Sequence, residues 1–299
     1  MTTALSADVV AAIEDLELAA RLVVEGLRAG AHRSPMHGFS SEFQQHRAYR
    51  AGDDLKYLDW KLLARTDRLY TRMFRETTSM SVMLVLDASA SMSFPETGLS
   101  AWRYAQVLAA SLAHLVVSQG DAAGLLAMSG ERLTFIPAKG GRPHLRSLIA
   151  TLDRLEPGGD WQPARAISRG AELLKRRGLV LVLSDFHDEE DSTRRELRRA
   201  ARSGHDVSML HVIAADERSF PYRGDTEFED LETGERRRVD AGVAALAYRE
   251  GLAAFLGRCQ EGAVRDHIDY ALLSTDVAPE RALRDFLLRR GADRRRASA

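Results

Sequence analysis

Several features that mark particular classes of protein are scarce in this sequence. Its 299 residues contain one cysteine, Cys259, which excludes an internal disulfide, and nothing indicates an oxidising compartment. The formal net charge of -1 does not favour nucleic acid or an acidic membrane as a partner. The longest apolar stretch, 107–117, is interrupted by Ser111 and His114 and falls short of the roughly 20 residues of a membrane-spanning helix. The acidic start lacks a signal-peptide layout, so we expect a cytoplasmic location.

What the sequence does contain, from residue 81 onward, is an alternation of strand and helix patterns. The continuous apolar runs VMLVL at 82–86 and LVLVL at 179–183 are typical of buried parallel strands. Helical patterns begin at Ser100, Pro143 and Pro163, and a closing helix is expected over 279–290, followed by a frayed tail. The alternation predicts an α/β fold with a doubly wound, mostly parallel sheet flanked by helices.

Two segments depart from this alternation. Residues 1–79 begin with one apolar stripe that predicts a single helix from Ser6 to Gly30, and alternation at 69–74 suggests a strand. We expect 1–79 to form a helix and β extension packed on a main domain over 80–299. Turn signals at Pro221, Gly224 and Gly234 predict a β-hairpin insertion at about 216–240.

Oxygen-bearing side chains follow two of the predicted buried strands. Asp87, Ser89 and Ser91 occupy alternate positions after the first strand, and Ser184 and Asp185 follow LVLVL. In a doubly wound sheet these strand ends can be neighbours at the edge where such folds bind ligands. Hard oxygen donors suit Mg²⁺ or Mn²⁺. The alternative is that these residues only cap helices and fill turns, but two matched strand exits favour a metal site.

The pattern Asp87-x-Ser89-x-Ser91 resembles the metal-ion-dependent adhesion site of von Willebrand factor A domains. In those domains a later loop supplies a threonine and another strand end an aspartate. The resemblance puts the aspartate at Asp185, and Asp160 stands where the threonine is expected. It implies a protein-binding module in which a cation held by Asp87, Ser89, Ser91, Asp160 and Asp185 takes a partner's carboxylate as its remaining ligand.

The segment that precedes the main domain carries a second resemblance. Its residues are Arg47-x-Tyr49-x-x-Gly52-Asp53-Asp54, Leu58-Asp59-Trp60 and Ala64-Arg65, and 228–235 adds a later match. This set is similar to the signature of domain-of-unknown-function family fifty-eight, over about 30–290. It implies a non-enzymatic partner or adaptor of a MoxR-type AAA+ ATPase or of its client. The residues of 47–65 themselves fit either a partner-facing surface or ion pairs that fasten this segment to the sheet.

Other interpretations stay open beside the binding module. Asp87, Asp185 and His187 would suit a metal-dependent hydrolase with His187 as acid or base. A scaffold with a vestigial metal site is the other alternative. Cys259 lies in an apparent helix and is expected to be a buried or inert thiol, and the arginines of 194–202 are expected to form a solvated face because acidic residues lie among them.

Overall fold

The computed structural model describes residues 7–29, 45–48, 69–73, 80–174, 176–187 and 192–297. The strands are β1 (Gln45–Ala48), β2 (Tyr70–Met73), β3 (Ser81–Asp87), β4 (Ala122–Ser129), β5 (Arg132–Lys139), β6 (Leu179–Ser184), β7 (Asp206–Ile213), β8 (Asp225–Glu229), β9 (Arg236–Asp240) and β10 (Asp269–Ser274). The helices are α1 (Ala7–Ala12), α2 (Leu16–Ala29), α3 (Ala101–Ser118), α4 (Arg142–Asp153), α5 (Pro163–Glu172), α6 (Ser192–Arg202), α7 (Ala215–Ser219), α8 (Ala241–Arg265) and α9 (Pro279–Ala297). The predicted motif from Tyr49 to Arg65 lies outside the described residues.

The central sheet has six strands in the order β10-β7-β6-β3-β4-β5. All neighbouring pairs are parallel except β4–β5, so β5 is an antiparallel edge strand. The chain leaves β3 towards β4 and β5 on one side, and later enters β6, β7 and β10 on the other. The predicted doubly wound, mostly parallel sheet is therefore confirmed.

Helices cover both faces of this sheet. Leu84 packs in the cluster that contains the buried faces of α2, α3, α4 and α9. Its neighbour Val85 points to the opposite cluster, with α5, α6 and the end of α8. Because successive side chains of a strand alternate between faces, a strand buried on both sides must be apolar throughout. This requirement explains the uninterrupted VMLVL and LVLVL runs.

The N-terminal helical region is two helices, so the prediction of one continuous helix was wrong. The chain breaks at residues 13–15, and the Asp15 carboxylate accepts a hydrogen bond from the Leu18 N–H at 3.0 Å. An aspartate in this position caps a new helix start. The apolar stripe is still used, because α2 buries Leu16, Ala20, Val23 and Leu27 against the main core.

The closing helix continues through Ala297, so the frayed tail predicted after Arg290 was also wrong. Arg290 is 2% exposed, and its guanidinium forms ion pairs with Asp206 and Asp269. It also donates a 2.7 Å hydrogen bond to the Ser208 hydroxyl. Buried charges require such partners, and here they fasten α9 to the beginnings of β7 and β10.

The predicted hairpin insertion is present as the antiparallel pair β8–β9. It leads directly into α8, whose first turn is capped by Asp240, which accepts from the N–H groups of Gly242 and Val243 at 2.8 and 3.2 Å. Near its far end α8 buries Gly262 and Ala263, while most of its length is partly or fully exposed. Among the described helices, none combines the length and apolar character needed to span a bilayer.

Candidate functional site

The candidate site lies where β3 and β6 end side by side. Leu86 of β3 pairs with Leu183 of β6, so Asp87 and Ser184 leave the sheet together. From β3 the chain continues to β4 on one side of the sheet and later returns to β6 on the other side. The boundary between β3 and β6 is therefore the topological switch point, where doubly wound folds form ligand crevices. The predicted proximity of the two strand ends is confirmed by the pairing.

Hydrogen bonds join the two strand ends directly. Ser184 donates from its hydroxyl to Asp87 Oδ2 at 2.6 Å, and the Ser89 backbone N–H donates to Asp87 Oδ1 at 2.9 Å. The Ser91 hydroxyl donates to Asp185 Oδ2 at 2.7 Å. Since this uses the Ser91 proton, the Ser89 hydroxyl, 3.0 Å from Ser91 Oγ, donates in turn to Ser91. Two carboxylates and three hydroxyls therefore form one connected group.

Ser184 is a residue of this group that was absent from the predicted ligand set. Its position between LVLVL and Asp185 was visible in the sequence. Its hydroxyl also accepts a hydrogen bond from the Phe186 N–H at 2.9 Å. Only the pairing of β3 with β6 places this hydroxyl against Asp87, which is why sequence reasoning did not assign it a role.

The two carboxyl groups of this site, Asp87 and Asp185, are buried, so negative charge on them is removed from water. Burial raises the pKa of Asp87 to about 8, and the neighbouring charge of Asp185 adds to the shift, while hydrogen bonds from Ser184 and Ser89 oppose it. In the described part of the chain no lysine or arginine pairs with either carboxylate, and the His187 ring stands 4.0 Å from Asp185. The donor set fits a small hard cation, since it offers oxygen atoms alone and a positive charge would balance the two carboxylates.

The third predicted region is the loop 156–160. It is held against the Asp87 loop by the Gly158 N–H, which donates to the Ala88 carbonyl at 2.8 Å, and by the Ala90 N–H, which donates to the Gly159 carbonyl at 2.8 Å. Gly159 has a φ of +67°, and a β-carbon there would come within 2.7 Å of the Gly130 Cα. This close approach and backbone conformation require glycine.

Asp160, the predicted replacement for threonine, follows this tightly held loop and is exposed. Among the residues that the structure describes, no three His, Cys, Asp or Glu side chains lie close enough to hold one metal ion. Asp160 therefore does not join Asp87 and Asp185 as a third clustered carboxylate. A role for Asp160 in metal binding stays a prediction.

Two histidines lie behind and beside the site. His187 is exposed, and its ring lies 5.2 Å from the Phe255 ring of α8. His211 is buried, with its Nδ1 3.0 Å from the Tyr270 hydroxyl, and burial lowers its pKa to about 4. His211 is therefore neutral at physiological pH and belongs to the packing behind the site.

A cleft of about 1220 Å³ opens beside Ser91, between the strand ends, the hairpin and α8. Its walls include Phe186 and His187 from the loop after β6, Leu231 from the hairpin tip and Phe255 from α8. The hairpin and α8 had been predicted only in outline, and the space between them was not predicted at all.

Comparison with known proteins places this chain among uncharacterised relatives. Residues 45–255 match the family described as protein of unknown function DUF58. An uncharacterised protein of Mycobacterium tuberculosis is 30% identical over 260 residues, which cover 83% of this chain and 81% of that protein. Among solved structures, the conserved hypothetical protein BatB of Bacteroides thetaiotaomicron is 17% identical with a TM-score of 0.48, over 72% of this chain and 100% of its own. The von Willebrand factor A domain of SpRpn10 is 11% identical with a TM-score of 0.41, over 69% and 94%.

Proposed function

This chain belongs to the DUF58 family, and we propose that it is a protein-binding module in which Mg²⁺ or Mn²⁺ engages a carboxylate of a partner protein. The observation that carries this proposal is the connected group of oxygen donors at the ends of β3 and β6. Its central contact is the 2.7 Å hydrogen bond between Ser91 and Asp185, which belong to different strand ends. Local caps and turns would satisfy each loop separately and would not require this convergence.

Each residue of the group has a distinct role in the proposed site. Asp87 is completely buried and is oriented by Ser184 and by the Ser89 N–H, so its carboxylate is fixed before any ligand arrives. Ser89 and Ser91 supply neutral hydroxyl oxygens, and Asp185 supplies the second negative charge. The two carboxylates formally balance a divalent cation, but they can act through water, and the neutral hydroxyls of Ser89 and Ser91 in the inner shell then leave the cation poorly neutralised at close range and open to an anionic ligand. A carboxylate from a partner is the matching group, and the charged contact gives orientation and specificity.

The partner that we propose is a MoxR-type AAA+ ATPase or its client, in the cytoplasm. This part of the proposal depends on the family resemblance of the N-terminal motif and of 228–235, whereas the carboxylate chemistry depends on the site. The two parts are separable, because a cation-dependent module can be tested with the purified chain alone.

Titration of the purified chain with Mg²⁺ and Mn²⁺ by calorimetry tests the metal part. We expect one saturable site in the wild type, retained in a Glu172→Gln control on the exposed surface of α5 and lost in Asp87→Ala. Absence of saturable binding in a folded wild type would refute the metal site and favour a scaffold with a vestigial site. Co-purification with the ATPase in Mg²⁺ and in chelator then tests the partner.

A metal-dependent hydrolase is a second candidate, and the position of His187 is the observation that favours it. The ring lies 4.0 Å from Asp185, is exposed, and lines the cleft beside Ser91, as a general acid or base would. A phosphoester screen separates the two functions. Mg²⁺-dependent turnover that is lost in both Asp87→Ala and His187→Gln would replace the binding module by the hydrolase.

A further inference from the structure

Four aromatic rings gather at the end of the cleft that the hairpin forms. They are Phe220 after α7, Tyr222 before the hairpin, Phe228 from β8 and Tyr248 from α8. The ring centroids of Phe220 and Tyr248 are 4.5 Å apart, and those of Tyr222 and Phe228 are 5.2 Å apart. Phe220 is buried, whereas the other three residues are partly exposed and line the cleft. Ring surface of this kind packs on apolar groups and attracts cations.

Three acidic side chains stand around these rings. Glu217 comes from α7, whereas Asp230 and Glu232 come from the hairpin tip, and all three line the cleft. The Glu217 carboxylate accepts a hydrogen bond from the Ala214 N–H at 2.8 Å, and Asp230 accepts from the N–H groups of Glu232 and Thr233. Across the ranges that the structure describes, none of the three forms an ion pair with a lysine or arginine.

These carboxyl groups share one negative field with the oxygen-donor group at the strand ends. Partial burial raises the pKa of Glu232, and the charges of Asp185 and Asp230 raise it further. Burial also raises the pKa of Glu217, and the charge of Asp185 adds to the shift, while His187 opposes it. Negative charge at this end of the cleft is therefore unfavourable in the free protein, and a positive charge that enters it is favoured.

The arginines that line the cleft do not cancel this field. Arg194 donates to the Asp266 carboxylate at 3.1 Å, so its charge is already paired. Arg258 and Arg265 are exposed on α8, with the acidic Glu261 between them. At a rise of about 1.5 Å per residue the two arginines lie about 15 and 25 Å along the helix from the α8 tyrosine. The lining is therefore most acidic at the hairpin end, next to the rings.

We propose that the hairpin end of this cleft binds a basic segment of a partner protein, with an arginine or lysine side chain held between the carboxylates and the rings. Glu217, Asp230 and Glu232 supply the opposite charge. Tyr222 and Phe228 supply ring surface for the apolar stem of the side chain or for stacking of a guanidinium. The cleft volume of about 1220 Å³ exceeds the roughly 300–1,000 Å³ of small-molecule pockets and suits several residues of a peptide.

This contact goes beyond the proposed metal function and does not need the cation. A partner that also gives a carboxylate to the cation would be held in one direction only. The acidic hairpin repels the carboxylate, and the cation repels the basic side chain. Such opposed charges exclude wrong registers. The direction of the segment alone rests on the proposed metal function.

Peptide selection on the full chain in chelator tests the basic contact without the metal. We expect peptides enriched from a displayed library of random twelve-residue sequences to carry Arg or Lys. Fluorescence polarisation of these peptides should show at least tenfold weaker binding, with reduced salt dependence, to a Glu217→Gln/Glu232→Gln variant, which loses two charges and keeps the side-chain shapes. The matched control is Glu227→Gln/Glu235→Gln, which removes two charges from exposed hairpin residues outside the cleft lining and should bind within twofold of the wild type.

Two further variants separate the parts of the cleft. Tyr222→Ser should weaken binding at least threefold because it removes ring surface. Arg258→Gln/Arg265→Gln should leave the affinity unchanged or raise it, whereas an acidic occupant would lose affinity. Thermal melting establishes that each variant is folded. Glu232→Lys reverses a charge at an exposed position and gives the same test if the double glutamine variant does not fold.

Enriched peptides that are acidic or uncharged, or equal affinity for the Glu217→Gln/Glu232→Gln variant and its control, would overturn the inference. So would a concentration-dependent dimer that Glu232→Lys dissociates, because the cleft would then bind a second copy of this chain. Basic peptides that bind in chelator to a chain without saturable Mg²⁺ binding would refute the metal function and support the cleft. Peptides that bind only in Mg²⁺, and equally well to the double glutamine variant, would support the metal function and overturn this inference.

Discussion

Ser91 donates a 2.7 Å hydrogen bond to Asp185, 94 positions further along the chain. This contact joins the loop after β3 to the end of β6, and with the Ser184–Asp87 bond at 2.6 Å it makes one group of two separate sequence motifs. A buried carboxylate pair bridged by hydroxyls is costly unless further positive charge is supplied.

Replacement of Asp87 by asparagine should abolish Mg²⁺ binding and raise the stability of the metal-free protein. The amide keeps the shape of the side chain and is neutral at every pH, whereas folding at pH 7 requires the Asp87 carboxyl to take up a proton, because burial and Asp185 raise its pKa from 3.8 to about 8. We expect a gain on the order of 2 kcal/mol at pH 7 in chelator, since each pKa unit corresponds to about 1.4 kcal/mol. Urea denaturation of the variant and the wild type in chelator measures this difference in the free energy of unfolding. Equal or lower stability of the variant would contradict the assignment of Asp87 as a buried carboxyl whose ionisation is unfavourable.

The stabilisation by Mg²⁺ should grow as the pH rises. The folded-state pKa of Asp87, about 8, lies above its unfolded value of 3.8. In the metal-free protein, the free energy of unfolding is therefore not lowered by Asp87 below about pH 4, where this carboxyl is protonated in both states. It falls as the pH rises from about 4 towards 8, because only the folded state keeps the proton. A cation needs the ionised carboxylate, so Mg²⁺ binding below pH 8 releases protons. Melting temperatures with and without Mg²⁺ at pH 6 and 8.5 should differ more at pH 8.5, and an equal difference at both pH values would argue against this coupling.

Asp160→Thr should raise the affinity for a partner carboxylate in Mg²⁺. Asp160 is exposed on the loop that is bonded to the Asp87 loop, so its charge opposes an incoming anion through solvent. Exposed charges contribute up to about 1 kcal/mol, which limits the expected gain to a few-fold. Peptide binding by fluorescence polarisation measures the change, with Glu156→Gln in the same loop as the control for a general loss of negative charge. Unchanged or weaker binding of the threonine variant would count against this role.

Arg290→Ala should destabilise the fold by about 3 kcal/mol while leaving Mg²⁺ affinity unchanged. The substitution leaves Asp206 and Asp269 without their common partner and opens space beneath α9. The two carboxylates are partly exposed, which keeps the effect below that of a fully buried pair. Chemical denaturation measures the free energy of unfolding of Arg290→Ala and of the control Arg289→Ala, since the Arg289 side chain is exposed on the same helix. A similar loss in both variants would show that the buried ion pairs are not its cause.

The single N-terminal helix and the frayed C-terminal tail were wrong predictions for the same physical reason. The break before α2 depends on whether Asp15 caps a new helix, and the apolar stripe of Val23 and Leu27 is the same with or without that break. The chain after Arg290 was expected to fray because it is polar, whereas Arg290 at that point is anchored by partners 84 and 21 positions away. Periodicity reports which face of an element is apolar and gives no information on which distant side chain meets a given charge.

The sequence by itself determined the kind and order of the elements after residue 80, because burial on both faces leaves apolar runs and the helix starts carry their own capping or proline signals. It also placed Asp87, Ser89, Ser91 and Asp185 at strand exits. Only the tertiary structure decided that β3 and β6 are neighbours, that Ser184 meets Asp87, and that a cleft separates the hairpin from α8. Strand pairing and the space between elements arise from contacts between residues far apart in the chain, and no local pattern encodes them.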